Sequence, residues 1–452
     1  MERSPSGGEL RWVAGSIVFA AAHLGYDTGN VPLGGGAQVG IHLLRRWAVT
    51  RPCPITVLGS GPEAPLPGID YRPIPWAVRG HSGPITDLSV SGYARFSRQF
   101  EGGVTAYLAR LAHEADPTQV CVLHNDIAEG GNFARIQDLG FRQAAIFHVD
   151  VVDYVARIYL RGRIGAPTLA RMLRAVDRPG LRRLIPDVVQ VALAKQEACA
   201  RHCDLLVVPS TEMGAILCRS YPWRTERDVL VLPWGTIADP PPPGVEEAAG
   251  EIRAQYRLDD RPVVVALSRI SPEKGQDLFL RALRLWEKRE GTELVAFICG
   301  APAYMHGGSY MRRLARLAAR LRRVEVHFPG YVTGAEKHAF FRVADLYVFP
   351  SRHESYGLTL MEALAAGLPV LTTDHRSAAD LVRPEFGRVV AARPEALYRG
   401  LVELLAQREE LPRMGERAHR FASGVPFAAA ADRLSVAIQG LLDRSSMPAR
   451  VP

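Results

Sequence analysis

The chain of 452 residues has few lysines and few cysteines, and it has no long apolar run. Lysine supplies only 4 of the 55 basic residues, so arginine carries most of the positive charge. We attribute this imbalance to coding bias, because the sequence has no zinc finger, helix-turn-helix or aromatic-plus-basic strand motif. The lack of such motifs argues against a nucleic-acid partner despite a net charge of +8.

The six cysteines are scattered, and most lie within apolar stretches. Cys199 and Cys203 are one helical turn apart, but no second pair accompanies them, which argues against a zinc site. We therefore expect free, buried thiols in a reducing cytosol.

No apolar run reaches the ~18 residues that a membrane-spanning helix requires. Residues 12–22 follow Arg3 and Arg11 and could act as an export signal. The segment leads directly into a glycine-rich turn and an amphipathic helix, so we favour a first core strand. The expected location is cytoplasmic, with a peripheral position on the inner membrane face as the alternative.

Two further motifs are missing from places where they would be informative. A Gly-x-Gly-x-x-Gly fingerprint starting at Gly34 would need glycine at position 39, where the chain has Val39. This weakens the case for a dinucleotide-dependent dehydrogenase. No Asp-x-Asp element lies at a plausible strand end, so no bound metal is expected.

Short apolar strands alternate with helical patterns, which is typical of α/β proteins with doubly wound parallel sheets. The length, with 47% hydrophobic residues, suits two domains and a cleft between them. A proline-rich segment, 238–244, separates the two halves. The expected strands are 12–22, 55–58, 120–123, 145–148, 205–209 and 229–233 in the first half, and 262–267, 294–299, 324–328, 346–349 and 369–372 in the second.

The most informative segment runs from Phe349 to Pro369 and contains Glu354 and Glu362, eight positions apart. It follows an apolar strand, turns at Gly357 and continues as a small-residue helix from about Thr359. A helix N-terminus after a parallel strand offers unpaired N–H groups to an anion. The two glutamates thus face one site from two sides.

This segment resembles the Glu-x7-Glu signature of the family 4 glycosyltransferases, which have the GT-B fold of two Rossmann-like domains facing across a cleft. Pro350-Ser351, Gly357-Leu358 and Glu362-Ala363-Leu364-Ala365 all fall where that family has them. The resemblance implies an N-terminal acceptor-side domain (1–240), a C-terminal domain that binds the nucleotide sugar (250–425) and a final helix (426–452) that packs back on the first domain. The resemblance is strong over 262–380 and diffuse elsewhere.

The second half carries other matching elements. Ser268-Arg269 and Lys274-Gly275 resemble the family's Gly-Arg-Leu-x-x-x-Lys-Gly element, with Ser268 replacing glycine. Arg269 and Lys274 at a strand's carboxyl end could stabilise a departing diphosphate, although an ordinary surface ion pair is the alternative. By resemblance, the donor-binding residues are Gly35, Gly36, Arg269, Lys274, Gly300, Tyr331, Val332, Glu354, Tyr356, Gly357, Leu358, Thr359 and Glu362.

The first half supplies the opposite side of the predicted cleft. Gly34-Gly35-Gly36 precedes an amphipathic helix and resembles the family's N-terminal glycine-rich loop. By resemblance, His148 lies near the transferred sugar, and His124, Asp126 and Asp150 lie on the acceptor side. A structural role is the alternative for each histidine.

The resemblance implies a retaining, metal-independent hexosyl transfer from a nucleotide-diphosphate sugar, with a UDP- or GDP-sugar favoured, to a small-molecule, saccharide or lipid-linked hydroxyl acceptor. Glu354, His148, Arg269 and Lys274 are the expected catalytic residues, and Glu362 would bind the ribose. No cofactor beyond the donor is expected, and the resemblance is to bacterial enzymes. A phosphorylase of the same architecture and a nucleotide-sugar epimerase are the alternatives, while a non-catalytic binding protein would be expected to lose Glu354, Arg269 or Lys274.

An arginine-rich segment, 157–183, has no clear counterpart in that family. Its apolar and basic residues alternate, so it could contact an anionic membrane or an anionic acceptor. We favour a solvated helical face for it, since arginine is abundant throughout this chain.

Overall fold

A computed structural model describes residues 15–26, 34–78, 85, 88–160, 162–175, 187–237, 241–302 and 307–443. Parts of several sequence expectations lie outside these residues: positions 12–14 of the first strand, 238–240 of the proline-rich segment, 444–452 of the final segment, and 161 and 176–183 of the arginine-rich segment. Within the described ranges, no helix is long and apolar enough to cross a membrane.

The first half of the described chain contains a seven-stranded, fully parallel sheet. Its strands are β1 Ser16–Ala20, β2 Ile55–Gly59, β3 Asp70–Pro73, β4 Val120–His124, β5 Arg142–Ile146, β6 Leu205–Val208 and β7 Val229–Val231. The spatial order is β3-β2-β1-β4-β5-β6-β7. The order reverses between β1 and β4, so a crevice opens there at the carboxyl ends of the strands.

The second half contains a six-stranded parallel sheet within the described residues. Its strands are β8 Val263–Leu267, β9 Leu294–Cys299, β10 Val324–Gly330, β11 Leu346–Phe349, β12 Val370–Thr373 and β13 Gly387–Val390. The order is β10-β9-β8-β11-β12-β13, which places a second reversal between β8 and β11.

Helices cover both sheets and explain the nearly continuous apolar strands. Residues of β4, β8, β9, β11 and β12 are buried throughout, as expected for parallel strands with both faces covered. The α-helices of the described residues are Gly35–Thr50, Val90–Glu114, Phe133–Asp138, Val151–Tyr154, Ala166–Ala175, Asp187–His202, Thr211–Ser220, Val245–Tyr256, Gln276–Arg289, Gly307–Ala318, Gly334–Val343, Leu358–Ala365, Ala378–Leu381, Pro394–Leu405, Leu411–Ser423 and Phe427–Asp443. The result is the expected α/β class, two parallel sheets with helices packed on them.

The chain passes between the two halves twice, and the passages are hydrogen-bonded to each other. The Thr236 amide donates to the Val425 carbonyl at 2.8 Å, and the Phe427 amide donates to the Thr236 carbonyl at 2.9 Å. These paired crossings form the connection about which the two halves could rotate.

The last described helix, Phe427–Asp443, packs against the first-half helix Gly35–Thr50. Arg46 clamps Asp432 through two hydrogen bonds, Nε to Oδ1 at 2.9 Å and Nη2 to Oδ2 at 2.6 Å. Trp234 stacks on Phe427 with ring centroids 6.0 Å apart. The domain boundaries expected from the sequence, 1–240, 250–425 and 426–452, remain a prediction.

Candidate active site

The two sheet reversals carry most of the candidate site residues. In the second half, the loops after β8 and β11 hold Arg269, Lys274 and Glu354. In the first half, the loops after β1 and β4 hold His23, Asp126 and Glu129. Carboxyl ends at such reversals are where open α/β sheets bind ligands.

Lys274 and Glu354 form an ion pair at the carboxyl edge of the second sheet. Lys274 Nζ donates to Glu354 Oε2, and the two side chains are only 13% and 15% exposed. Burial alone would raise the pKa of the Glu354 carboxyl, but the charge and hydrogen bond of Lys274 outweigh burial and hold it below its ordinary value. Glu354 is therefore an anion at neutral pH, next to a cation that a departing diphosphate could share.

Backbone contacts fix the loops that carry this pair. The Arg352 amide donates to the Glu273 carbonyl at 2.7 Å, which ties the loop after β11 to the loop after β8. Gly275 has φ +68°, and a Cβ there would stand 2.0 Å from the carbonyl oxygen of Pro350. Only glycine permits this approach, so Gly275 sets the position of Lys274.

Serine replaces the family's glycine at position 268 without an unsatisfied hydroxyl. Gln276 Nε2 donates to Ser268 Oγ at 3.0 Å and to the Arg269 carbonyl at 2.8 Å. A Cβ at Gly300 would lie 1.9 Å from the Ser268 carbonyl oxygen, so this glycine serves the packing of two loops. Gly300 thus has a structural reason to be glycine, beside the predicted contact with the donor.

Gly357 starts the helix Leu358–Ala365 with φ +102°, and no side chain caps that helix end. The first N–H groups of a helix have no intrahelical partner, so they can donate hydrogen bonds to an anion here. Tyr347 donates its hydroxyl proton to the Leu267 carbonyl at 2.8 Å and lies 3.1 Å from Thr359 Oγ1, which links this helix to β8. A diphosphate here would lie between the helix end and Lys274.

Glu362 lies at the edge of the same site, where it pairs with Lys337, a residue that the sequence analysis did not identify. Lys337 Nζ lies 3.1 Å from Glu362 Oε1. Tyr331 is 52% exposed, whereas the Val332 side chain is buried in the core. Burial and the nearby charge of Glu362 raise the pKa of Tyr331. Tyr331 is therefore the side chain that could lie along a base, while Val332 could contribute only through its backbone.

Tyr356 and Leu358, both predicted to bind the donor, lie where the two halves meet. The Gly235 amide donates to the Tyr356 hydroxyl at 2.6 Å. A Cβ on Gly35 would lie 3.5 Å from Leu358 Cδ1. Tyr356 is buried, so its ring packs between the halves.

The glycine-rich loop, Asn125 and His148 form one hydrogen-bonded unit in the first half. Asn125 Nδ2 donates to the Gly36 carbonyl at 3.1 Å, and Asn125 Oδ1 lies 3.3 Å from His148 Nε2. A Cβ on Gly36 would stand 2.7 Å from His148 Cδ2, so glycine is required for the imidazole to fit. Burial lowers the pKa of His148, which makes it a neutral hydrogen-bonding group.

Two predicted acceptor-side residues, His124 and Asp150, are deeply buried and form hydrogen bonds within their own half, although Asp150 Oδ2 has no hydrogen-bond partner among the described residues. His124 is fully buried, its Nε2 lies 3.3 Å from Gln143 Oε1, and the Gly131 amide donates to its Nδ1 at 3.4 Å. Asp150 Oδ1 accepts from the Asp153 amide at 3.0 Å and from Gln196 Nε2 at 2.8 Å. Both side chains hold the framework of the first half together.

His124 should remain neutral across the physiological range. Burial lowers its pKa to about 3. The unfolded chain binds this proton near pH 6.5 and the folded chain does not, so stability falls as pH drops from about 6.5 toward 3. In ¹H–¹⁵N spectra of the imidazoles, His124 should stay neutral at pH 5, and titration near pH 6.5 would contradict this assignment.

A histidine–glutamate pair at the first reversal was missed from the sequence. His23 Nε2 lies 3.5 Å from Glu129 Oε1. Burial opposes protonation of His23, but the hydrogen bond and charge of Glu129 outweigh it and raise the pKa of His23. Arg269 lies near enough that its charge opposes this rise. Asp126 lies in the same loop and accepts from the Ala128 amide at 2.9 Å.

Glu129 is only 3% exposed, and its Oε2 has no hydrogen-bond partner within the described residues. Neither His23 nor Glu129 belongs to a recognisable sequence motif. Their positions after strands that end at a sheet reversal are the one signal that could have identified them. Among the residues that the structure covers, no group of three or more histidine, cysteine, aspartate or glutamate side chains could hold a metal ion. Metal independence remains a prediction.

Comparison with known proteins gives a consistent result. A family model described as "Glycosyl transferases group 1" matches residues 249–421. The D-inositol 3-phosphate glycosyltransferase of Nocardia farcinica is 32% identical over 403 residues, covering 84% of this chain and 82% of that protein.

The GDP-mannose-dependent alpha-(1-6)-phosphatidylinositol monomannoside mannosyltransferase of Mycobacterium tuberculosis (strain H37Rv) is 35% identical over 193 residues, 38% of this chain. The chain spans about half the length of this relative, 48%.

Solved structures show the same fold at low sequence identity. Sucrose-phosphate synthase from Thermosynechococcus elongatus superimposes with a TM-score of 0.69 at 18% identity, covering 95% of this chain and 99% of that one. The catalytic domain of starch synthase IV from Arabidopsis thaliana gives a TM-score of 0.61 at 15% identity, with 96% and 99% covered. The fold is therefore GT-B, and the chain belongs to the group 1 glycosyltransferases, the family 4 enzymes whose signature elements its sequence resembles.

Proposed function

We propose that this chain transfers a hexosyl group from a UDP- or GDP-sugar to a hydroxyl acceptor, with retention of anomeric configuration and without a metal. The observation that carries the proposal is the buried Lys274–Glu354 ion pair at the reversal of the second sheet. In the first half, His148 packs against Gly36 of the glycine-rich loop. Membership of a glycosyltransferase family supports transfer over phosphorolysis or epimerisation.

The second half would hold the donor. The diphosphate would bind at the N-terminus of helix Leu358–Ala365 and accept hydrogen bonds from Arg269 and Lys274. These cations would stabilise the negative charge that develops as the diphosphate leaves. The ribose hydroxyls would donate to Glu362, which would exchange its contact with Lys337 for them, and the base would lie along Tyr331.

Glu354 would lie beside the sugar. An ionised carboxylate there can orient the hydroxyls and stabilise positive charge near the anomeric carbon. The glycosidic bond to the phosphate oxygen breaks, the acceptor oxygen bonds to the anomeric carbon on the same face, and the departing phosphate takes the acceptor proton. This course needs no protein base, and a neutral His148 would hydrogen-bond a sugar hydroxyl.

The acceptor would enter from the first half, beside His23, Asp126 and Glu129. Two relatives are named for their acceptors, phosphatidylinositol monomannoside and D-inositol 3-phosphate. Inositol-based hydroxyls are therefore the first acceptors to try, free or lipid-linked. Under this proposal the protein works in the cytoplasm, and contact with a membrane surface depends on the acceptor.

The first test is a thermal-shift panel with UDP, GDP, ADP and TDP and their common sugars, in EDTA and again with Mg²⁺. A nucleotide at 100 times its dissociation constant should stabilise the protein by ~2.7 kcal/mol. The proposal expects a shift with one base and no requirement for Mg²⁺. No shift with any nucleotide, but one with inorganic phosphate or a free disaccharide, would support a phosphorylase instead.

Glu362→Gln should weaken binding of the preferred nucleoside diphosphate by roughly 10- to 150-fold, since a hydrogen bond to a charged group contributes ~1.5–3 kcal/mol. The 2′,3′-dideoxy nucleotide provides the control, because it lacks the hydroxyls that Glu362 would accept from. Calorimetric titration should show that the variant and the wild type bind the dideoxy nucleotide equally. If the variant weakens both nucleotides alike, Glu362 does not bind the ribose.

A further inference from the structure

A buried ionic cluster joins the two halves beside the Lys274–Glu354 pair. At its centre is Asp153, from the first-half helix Val151–Tyr154, with a side chain only 2% exposed. Its carboxylate accepts two hydrogen bonds from the second-half residue Arg376, from Nε at 3.0 Å and from Nη2 at 2.6 Å. The same carboxylate lies 3.5 Å from His353 Nε2.

Both second-half partners of Asp153 are next to the chain segments that position Glu354. His353 immediately precedes Glu354 in the sequence. Arg376 follows His375, which contacts Thr372 at 2.9 Å and Ser377 at 3.1 Å through its two ring nitrogens. Ser377 Oγ donates to the Tyr356 carbonyl at 2.6 Å, which ties the Arg376 segment to the loop that carries Glu354. One first-half carboxylate thus contacts both segments that border the proposed catalytic glutamate.

The first half holds Asp153 rigidly for this contact. Asp150 caps the helix by accepting from the Asp153 amide, and Gln196 in turn donates to Asp150 at 2.8 Å. Neighbouring contacts cross the same boundary: Arg157 donates to the Arg352 carbonyl at 3.3 Å.

Two more crossings are made by the helix Thr211–Ser220. Glu212 lies 3.2 Å from Arg376 Nη1. The Thr211 amide donates to Asp380 Oδ2 at 2.8 Å. The boundary is therefore polar and charged, a kind of contact that can separate into water and form again.

Burial favours the protonated form of Asp153, but the charge and two hydrogen bonds of Arg376, with nearby His353 acting in the same direction, hold the pKa of the Asp153 carboxyl well below its usual range. With the two halves in contact, Asp153 is ionised and paired with Arg376. If the halves move apart, both Asp153 and Arg376 become hydrated, and His353 loses its contact across the boundary.

We propose that Asp153 is a positioning residue that couples approach of the two halves to alignment of Glu354, through His353 and the Arg376 segment. The inference rests on the proposed function for its kinetic consequence, but its structural consequence does not. Asp153 touches neither the proposed donor site nor its diphosphate-binding groups. It should therefore affect the reaction and the arrangement of the halves, while nucleotide binding by the second half is retained.

The matched control is Arg46–Asp432, another two-hydrogen-bond arginine–aspartate pair between the first half and the C-terminal part of the chain. It lies on the helices Gly35–Thr50 and Phe427–Asp443, away from Glu354. The variants to compare are Asp153→Asn, Asp153→Glu and Asp432→Asn. Asparagine keeps the size of the side chain and removes its charge, and glutamate restores the charge.

Three measurements separate the possible roles. Calorimetry with GDP and UDP reports nucleotide binding by the second half. Steady-state release of the nucleoside diphosphate reports kcat and KM with the donor selected by the thermal-shift panel. Small-angle scattering, with and without GDP or UDP, reports the separation of the two halves and requires no substrate.

Asp153→Asn should lower kcat by on the order of 100-fold, since displacement of catalytic groups by about 1 Å has an effect of that size. Its nucleotide affinity should match wild type, its radius of gyration should be larger, and Asp153→Glu should regain part of the lost kcat. Asp432→Asn should keep the wild-type kcat. The proposal is overturned if Asp153→Asn retains wild-type kcat and radius of gyration, or if it loses nucleotide affinity and kcat in parallel with Asp432→Asn. If no nucleotide binds even to wild type, the proposed function fails, while scattering still tests the coupling.

Discussion

Replacing Lys274 by methionine is expected to reduce transfer by on the order of 10³-fold, the largest single effect that the site predicts. Methionine keeps an unbranched apolar stem and removes the ammonium group. The departing diphosphate loses a cation, and Glu354 loses the partner that keeps it ionised. Steady-state release of nucleoside diphosphate measures the loss in kcat.

The same variant should change the pH dependence of the residual rate. Without Lys274, burial is largely unopposed, and the pKa of Glu354 should rise from its present value below the ordinary range. Because the ionised carboxylate is the active form, residual activity should increase as pH rises through the new pKa. The carboxyl can take up a proton instead of remaining an unpaired buried charge, so we expect only a modest loss of stability.

Lys288 provides the control for this prediction. It is exposed near the end of helix Gln276–Arg289, so Lys288→Met should stay within about twofold of wild type. Near-wild-type turnover by Lys274→Met would remove Lys274 from the mechanism. A loss of activity shared equally by both lysine variants would point to a general effect of charge.

Gly275→Ala should destabilise the protein by about 3 kcal/mol and reduce transfer by on the order of 100-fold. The added Cβ would meet the Pro350 carbonyl oxygen at 2.0 Å, backbone against backbone, at a φ of +68°. Relief requires the loop after β8 to move away from the loop after β11, which separates Lys274 from Glu354. Urea unfolding and kcat measured on the same preparation check both parts.

Gly250→Ala is the matched substitution for this second prediction. Gly250 lies within helix Val245–Tyr256, and its added Cβ would meet no atom within 4 Å. Alanine there should stabilise the helix by up to ~1 kcal/mol, because glycine is the poorer helix former. If Gly275→Ala behaves like Gly250→Ala, the close approach to Pro350 does not determine where Lys274 lies.

The buried strands could be predicted from the sequence because apolar runs between helical patterns report burial on both faces. Strands β3 and β13 were missed for the same reason. Each is the edge of its sheet, and the residues of β3 are mostly exposed and include Pro73, so no apolar run marks it. Strand β5 begins earlier than expected, since Arg142 and the buried Gln143 interrupt the apolar pattern.

Some predicted site residues have positions that local sequence patterns determine, whereas others depend on packing between distant segments. Strand ends place Lys274, Glu354 and Arg269 at a sheet reversal, and the motif placed Gly357 at the start of a helix. The inward direction of Tyr356 and the core position of Val332 depend on packing between distant segments. The contacts of Asp153 with Arg376 span more than two hundred positions of the sequence, and no local pattern reports such a pair.

The buried histidine and aspartate on the acceptor side show a second limit. His124 ends strand β4 and Asp150 caps the helix Val151–Tyr154, positions that suit a ligand-binding residue, yet each forms hydrogen bonds with neighbours within the first half. His23 and Glu129, in contrast, lie at the sheet reversal without any motif around them. A polar residue at a strand end therefore identifies a position worth examining, while the hydrogen-bond partners decide its role.

The most direct test of the central claim is acceptor-dependent release of UDP or GDP in EDTA. UDP-glucose and GDP-mannose would be supplied as donors, with inositol phosphates and simple sugars as acceptors. The wild type should release either UDP or GDP and form an equal molar amount of glycoside. The Lys274→Met protein should release almost no nucleoside diphosphate. Equal release by both proteins, or phosphate-dependent cleavage of a disaccharide without any nucleotide, would contradict the assignment of this chain as a nucleotide-sugar transferase that acts through Lys274 and Glu354.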